Sequence, residues 1–260
     1  MMPTVAIGYL AVFMLGLIIG SFLNVCIYRL PIGGSVADPP RSICPKCSGA
    51  IPFYDNIPVL SYLWLRGRCR HCREPISVQY PLVEIASGLT AALIAAKFGM
   101  TLQAAVYYVF ICALLVVSVI DLHHRIIPDI ITLPGIPLCL VASFLIGSLS
   151  VKDALIGLAA GGGSLWAVAW AYRAVTGKTG MGGGDIKLMA MIGGLLGLEG
   201  VVFTIFVASA LGSVVGLALM LYTRSNMKLA VPFGPFLSLG SAGYIFFGPE
   251  AVNWYFSLMG

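Results

Sequence analysis

Charge is what this chain has least of. Asp, Glu, Lys and Arg make up 10% of its 260 residues, where a soluble domain carries about 25%. With 59% hydrophobic residues and a mean hydropathy of +0.98, the chain belongs to the membrane class. Other absences narrow it further. No Lys or Arg precedes the first apolar run, which continues past a signal-peptide core without a small-residue cleavage site, so that run is expected to stay as an anchor helix. No GxGxxG follows a strand, which excludes a Rossmann cofactor domain. Thr176-Gly177-Lys178-Thr179 resembles the end of a phosphate-binding loop, but Tyr172 stands where the pattern needs Gly. No repeat of fixed period is visible, and neither Met1–Thr4 nor Leu258–Gly260 reads as a tail. A net charge of +5 in such a chain does not point to nucleic acid, because the placement of charges matters more than their sum.

What is abundant is glycine, 31 residues, which lets helices in lipid approach closely. Runs long enough to cross about 30 Å of hydrocarbon are expected near 5–28, 80–98, 103–121, 130–148, 154–172, 186–198, 201–222 and 235–258, the sixth being short. The fold class expected is an all-α polytopic membrane protein of about eight transmembrane helices. With the N-terminus outside, Arg29, Arg41, Lys46, Arg66, Arg68, Arg70, Arg73, Arg125, Arg173, Lys178, Lys187, Arg224 and Lys228 face the cytoplasm; of 15 basic residues only Lys97 and Lys152 do not. The positive-inside rule favours this topology, with both termini periplasmic. Three parts follow: a first helix (1–28), a long polar loop (29–79) and a bundle (80–260). Pro31, Gly33, Gly34, Pro39 and Pro40 open the loop as turns.

Cys44-Pro45-Lys46-Cys47 and Cys69-Arg70-His71-Cys72 are two CxxC knuckles with 21 residues between them. That spacing signals a tetrahedral structural zinc, which a small loop with little apolar core needs as a staple. A thiol–disulfide carrier is the rival reading, but it prefers the oxidising side of a membrane, and these cysteines fall on the reducing side. His71 reads as a solvated turn residue. Cys26, Cys112 and Cys139 read as small buried hydrophobes.

Asp121 closes the apolar run 107–120, and Asp185 closes Gly180-Met181-Gly182-Gly183-Gly184. A carboxyl at a membrane segment is costly and marks a functional site by default. Two that share a proton can activate water, as in aspartic proteases. The topology puts Asp121, Asp129 and Asp185 at one cytoplasmic face. Asp121 sits at a helix C-terminus, where negative charge is unfavourable. Asp129 follows Pro128 at a helix start and suits either macrodipole stabilisation or substrate contact. Gly182, Gly183 and Gly184 would let an extended substrate approach Asp185; a flexible turn with Asp185 as helix cap is the plainer alternative. Lys187 either positions this loop or sits at the lipid interface. His123 and His124 point apart and lack further ligands, so they read as a basic interfacial turn.

The residues also resemble a known family, the bacterial type IV prepilin peptidases, over nearly the whole chain. The resemblance rests on Gly20-Ser21-Phe22-Leu23-Asn24-Val25 with Tyr28-Arg29-Leu30-Pro31, both CxxC knuckles and Tyr54-Asp55-Asn56-Ile57-Pro58-Val59-Leu60-Ser61-Tyr62. It continues in Tyr80-Pro81-Leu82-Val83-Glu84, the segment 121–129, Gly182-Gly183-Gly184-Asp185-Ile186-Lys187 and Pro232-Phe233-Gly234-Pro235. It implies a GxGD-type intramembrane aspartic protease with Asp121 and Asp185 catalytic. The implied substrates are prepilins and pseudopilins, cut after the Gly that ends a short basic leader. It further implies N-methylation of the new N-terminus with S-adenosylmethionine, associated with the zinc loop, and a place beside the pilus or type II secretion assembly machinery in the bacterial inner membrane. Asn24, Arg29, Asp55, Asn56, Gly67, Arg68 and Glu84 are then candidates for holding the methyl donor, each with loop architecture or interface packing as the alternative. Asp38, Asp55, Asp129, Glu84 or anionic lipid would have to receive the basic leader. Three competing readings stand beside this one: a peptidase without methylation, an ion-coupled transporter using both aspartates, and the thiol carrier.

Overall fold

The computed structural model describes residues 2–37, 42–223 and 231–259. Asp38, Pro39, Pro40, Arg41, Arg224 and Lys228 lie outside the described residues. The described residues are helical, with no strand beyond two isolated bridges in the loop. Eight α-helices follow in order: α1 (Met2–Arg29), α2 (Leu60–Trp64), α3 (Gln79–Phe98), α4 (Leu102–His124), α5 (Asp129–Leu145), α6 (Val151–Thr176), α7 (Gly183–Thr223) and α8 (Gly234–Met259). Five spans are long and apolar enough to cross a membrane: Ala6–Ile32, Gln79–Phe98, Leu102–His124, Val151–Thr176 and Gly183–Tyr222.

The expected tally of eight spans is therefore not reached among the described residues. The run expected at 130–148 ends at Leu145 and stays short at 17 residues. The runs expected at 186–198 and 201–222 are the two helical parts of α7, 41 residues in all, separated at non-helical Gly197 (φ 71°, ψ −172°). A straight helix of that length would extend about 60 Å, twice the hydrocarbon thickness. The break at Gly197 redirects the chain, and its positive φ is a conformation glycine adopts without strain.

The chain divides into two compact units, Met1–Val116 and Val117–Gly260. In the first, α1 packs on α3. A Cβ on Gly16 would lie 2.7 Å from the Gly88 Cα, and one on Gly20 would lie 2.6 Å from the Glu84 Cα, so the two backbones meet where side chains are missing. Ser87 joins the contact by donating to the Gly16 carbonyl at 2.8 Å. In the second unit α7 is the central element and packs against α5, α6 and α8. There the glycines face one another: a Cβ on Gly157 of α6 would strike the Gly193 carbonyl and lie 2.7 Å from the Gly197 Cα. Association in lipid depends on such close packing, because lipid tails leave no hydrophobic force between helices.

Candidate active site

Asp121 lies in the last turn of α4 and is 5% exposed. Its unfavourable position at a helix C-terminus is offset from another helix. The backbone N–H of Gly234, the first residue of α8, donates to Asp121 Oδ2 at 3.0 Å. The positive end of α8 thus meets the carboxylate. Pro235 follows, fixing the helical φ and needing no N–H partner in the first turn. A Cβ at position 234 would lie 2.7 Å from Asp121 Oδ2, so glycine is required for this contact.

Asp185 lies in the first turn of α7, again at the positive end of a helix. The Gly182 N–H bonds its carboxylate, and the Asp121 charge acts on it directly. Its Oδ1 is buried without a hydrogen-bond partner. The structure therefore brings Asp121 and Asp185 within electrostatic reach, with one carboxyl oxygen uncommitted. Ile127 packs against the starts of α7 and α8: a Cβ on Gly184 would lie 2.7 Å from the Ile127 Cβ, and one on Gly234 3.3 Å from its Cδ1. Gly182 and Gly183 remain exposed. Asp129 and Lys187 meet each other at 2.7 Å on partly exposed side chains, tying the start of α5 to the first turn of α7. Each of the two is thus occupied by its neighbour.

The four loop cysteines converge. Their Sγ atoms all lie within 4.8 Å of one another, and Cys44 and Cys72 are 3.9 Å apart. A zinc tetrahedron with Zn–S bonds of about 2.3 Å has an edge of about 3.8 Å, so the donor set fits that metal. The two knuckles are built alike, 25 residues apart. Ser48 N–H donates to the Cys44 carbonyl at 2.9 Å and Cys44 N–H to Gly49; Arg73 N–H donates to the Cys69 carbonyl at 3.0 Å and Cys69 N–H to Glu74. Ser48 (φ 55°) and Arg73 (φ 61°) each turn through the left-handed region. Beyond the shared CxxC the correspondence is one of backbone, since the residues that close the two turns differ in type. N–H groups of Cys47 and Lys46 draw the Cys44 thiol down to about 7. Cys72 receives the Glu74 N–H, which lowers it, yet burial and its three neighbouring thiols push it up to about 12. Four cysteines this close could hold a metal ion, which would bind them as thiolates.

Beside the knuckles lies a cavity of about 520 Å³, within the size range of small-molecule sites. Asn24, Arg29, Asp55, Asn56 and Glu84 all line it. Gly67 and Arg68 are not among its lining residues. Gly67 (φ 65°) instead ends the α2 turn, donating to the Tyr62 carbonyl at 2.8 Å; a Cβ there would lie 2.9 Å from the Tyr62 hydroxyl. Asp55 is held by Arg70, whose Nε donates at 2.6 Å; that guanidinium keeps the Asp55 carboxyl below its ordinary range. Arg29 donates to the carbonyls of Ser35 and Val36 at 3.2 and 3.0 Å. Glu84, 7% exposed on α3, accepts from the Val59 N–H at 2.7 Å and from the Ser21 side chain. Val59 (φ 62°, ψ −48°) sits in a tight turn closed by Leu60 N–H to the Pro58 carbonyl at 2.6 Å. Such a turn is strained for a β-branched residue, and the buried carboxylate of Glu84 is what holds it.

Gly234 and Ile127 fall within motifs that carry the resemblance, residues 232–235 and the segment 121–129, but the sequence reading gave neither a role at the site. Gly234 had a signal, a Gly-Pro at the start of a long apolar run; Ile127, one aliphatic residue among many, had none.

An all-helical membrane protein with two interacting, helix-capped acids and a separate four-cysteine loop is the class defined so far. The Bacterial Peptidase A24 N-terminal domain model matches residues 14–98, and the Type IV leader peptidase family model matches residues 108–217. The chain is 40% identical to a prepilin leader peptidase/N-methyltransferase of Burkholderia pseudomallei (strain 1026b), over 90% of this chain and 84% of the relative. It is 38% identical to the protein of that name from Pseudomonas putida, over 91% and 89%, and 37% identical to that from Aeromonas hydrophila, over 94% and 92%. No solved structure matches the chain. The chain belongs to the type IV leader peptidase family.

Proposed function

We propose that this protein is a leader peptidase and N-methyltransferase of the bacterial inner membrane. It removes the short basic leader of type IV prepilins and pseudopilins after its final Gly, at the cytoplasmic face, and methylates the new N-terminal amine with S-adenosylmethionine. The observation that carries the peptidase half is the pair Asp121 and Asp185, each carboxylate met by a backbone N–H at a helix start and each within reach of the other's charge.

The pair shares one proton. The ionised member takes a proton from water as the oxygen attacks the scissile carbonyl carbon; the protonated member donates to the carbonyl oxygen. Collapse of the tetrahedral intermediate breaks the C–N bond; the leaving nitrogen takes a proton from one acid while a hydroxyl of the intermediate returns one to the other, restoring the singly protonated pair. The proton belongs to the dyad as a whole. Gly182 and Gly183, exposed at the start of α7, give an extended substrate room beside Asp185. Asp129 and Lys187 stiffen that entrance through their ion pair.

In the loop, Cys44, Cys47, Cys69 and Cys72 hold a structural Zn2+. S-adenosylmethionine, when bound, supplies an electrophilic methyl group. The cavity beside the knuckles has the volume to receive it, in a largely apolar wall with polar groups from Asn24, Arg29, Asn56 and Glu84. The division into an anchor helix (1–28), a zinc-bearing methyl-transfer loop (29–79) and peptidase helices (80–260) follows from these assignments. The excess of Lys and Arg on four connections supports a cytoplasmic site with periplasmic termini. Mature subunits then pass to the pilus or type II secretion assembly machinery.

Mass spectrometry of a prepilin incubated with the purified protein and S-adenosylmethionine tests both halves. Loss of the leader plus a methyl group on the new N-terminus is the expected result. Cleavage alone would remove the methyl-transfer half, and an unchanged substrate would remove both.

A further inference from the structure

Asn24 of α1 is 4% exposed and borders the loop cavity. Its Nδ2 donates to the Tyr80 carbonyl at 3.0 Å. That bond fixes the orientation of the amide, because exchanging its N and O would set two acceptors against each other. Oδ1 is then left buried without a partner. Among the described residues of the Met1–Val116 unit, it is the one buried side-chain polar atom in that condition. The acids of the same cavity are already engaged, Asp55 by Arg70, Glu84 by Val59 and Ser21, and Glu74 by Lys46 at 3.8 Å. A buried acceptor with open lone pairs asks for an N–H or O–H donor from outside the chain.

We propose that Asn24 Oδ1 is the amine-recognition atom of this cavity, accepting a hydrogen bond from a primary amino group of the bound ligand. The inference rests on the methyl-transfer reading above and deepens it. Both partners of that reaction carry such a group: the methyl donor at its amino-acid end, and the mature pilin at its freed N-terminus. A neutral acceptor suits either. It can hold an ammonium, and it favours the protonated form that blocks methylation less than a carboxylate would.

The test uses the full-length protein in detergent and the nearly isosteric variant Asn24→Leu. Affinities are measured for S-adenosylhomocysteine and its analogue lacking the α-amino group, and for a mature-pilin N-terminal peptide and its desamino form. In the wild type, removing the amino group from one of these ligands weakens binding about 10- to 100-fold. In Asn24→Leu that ligand and its desamino analogue bind alike, which separates loss of the Oδ1 contact from any shift of α1 caused by losing the Tyr80 bond. A difference confined to the nucleoside pair assigns Oδ1 to the methyl donor; one confined to the peptide pair assigns it to the acceptor. Zinc stoichiometry and thermal melting report whether the variant folds. If it does not, the wild-type comparison stands alone: equal binding with and without the amino group in both pairs overturns the proposal and leaves Oδ1 to a buried water. Parent ligands that bind while the amino group makes no difference remove this inference only. Failure of the wild type to bind either parent ligand removes the methyl-transfer reading and the inference together.

Discussion

The two units hold polar groups in place by opposite means. In Val117–Gly260 the acids are fixed by helices: Asp121 by the first N–H of α8 and Asp185 within the first turn of α7, with glycines removed of any side chain that would interfere. Nothing there requires a metal, because helix backbones satisfy themselves and their free N–H ends are available to carboxylates. In Met1–Val116 the cavity is bounded largely by a loop with one short helix. That loop is organised by four thiols, a strained turn at Val59 and the carboxylates of Asp55 and Glu84. A site on packed helices depends on the absence of atoms; a site on a loop depends on the presence of added links. The first should fail by crowding or charge loss, the second by release of a link.

The largest effect should come from the acids. Asp121→Asn and Asp185→Asn each remove a proton-transfer group while keeping the shape, and prepilin cleavage should fall by at least about 10²–10⁴-fold. The loop does not depend on this charge, so zinc content measured on the same preparations should stay at one equivalent. Appreciable cleavage by either variant would remove the dyad.

Chelation or Cys69→Ser is the converse experiment. A structural zinc contributes on the order of 10–16 kcal/mol of folding free energy in small peptides, far more than a loop of this size can replace by apolar burial. Limited proteolysis should then cut within 42–78, while the helical circular dichroism is retained. Global loss of helix on chelation would show that the two units do not follow separate rules.

Crowding should act at a third, smaller scale. Gly234→Ala puts a Cβ 2.7 Å from Asp121 Oδ2. A displacement of about 1 Å at a catalytic group can cost 10²-fold, so cleavage should fall about 10- to 100-fold with folding preserved. Near wild-type kcat would show that Asp121 does not depend on the start of α8.

Much of this was legible in the sequence, for reasons that differ by element. The paired CxxC knuckles and the acids at the ends of apolar runs carry their chemistry in residue type and spacing, so the convergence of the four cysteines and the proximity of the two acids could be anticipated. The number of spans could not: α5 ends early, and the conformation of Gly197, one glycine among 31, decides whether α7 is one helix or two. The binding candidates divided for a physical reason. Asn24, Arg29, Asp55, Asn56 and Glu84 share a cavity beside the close crossing of α1 and α3 at Gly16, Gly20 and Gly88; the GxxxG spacing of Gly16 and Gly20 marks a packing face, but nothing local names α3 as its partner. Gly67 instead serves the α2 turn, and Arg68 is exposed outside that cavity.

The smallest effect concerns which link of the loop fails first in acid. The Asp55 carboxyl is held below its ordinary range by Arg70, so its contribution is complete above the unfolded Asp value of about 3.9 and is lost only as pH falls through the lower folded value. Arg70 is 44% exposed, so solvent and salt screen the pair and its effect on melting should be slight. Zinc ligands, in contrast, must be deprotonated, and metal affinity declines as thiols compete for protons. Acidification from pH 7 to 5 should therefore release zinc while Asp55 is still ionised. Asp55→Asn should release it at the same pH as the wild type, and the slight melting difference between the two proteins should persist until about pH 4. A shift of the zinc-release midpoint in Asp55→Asn would mean that the Asp55–Arg70 pair, reaching Arg70 between Cys69 and Cys72, is itself part of the metal staple.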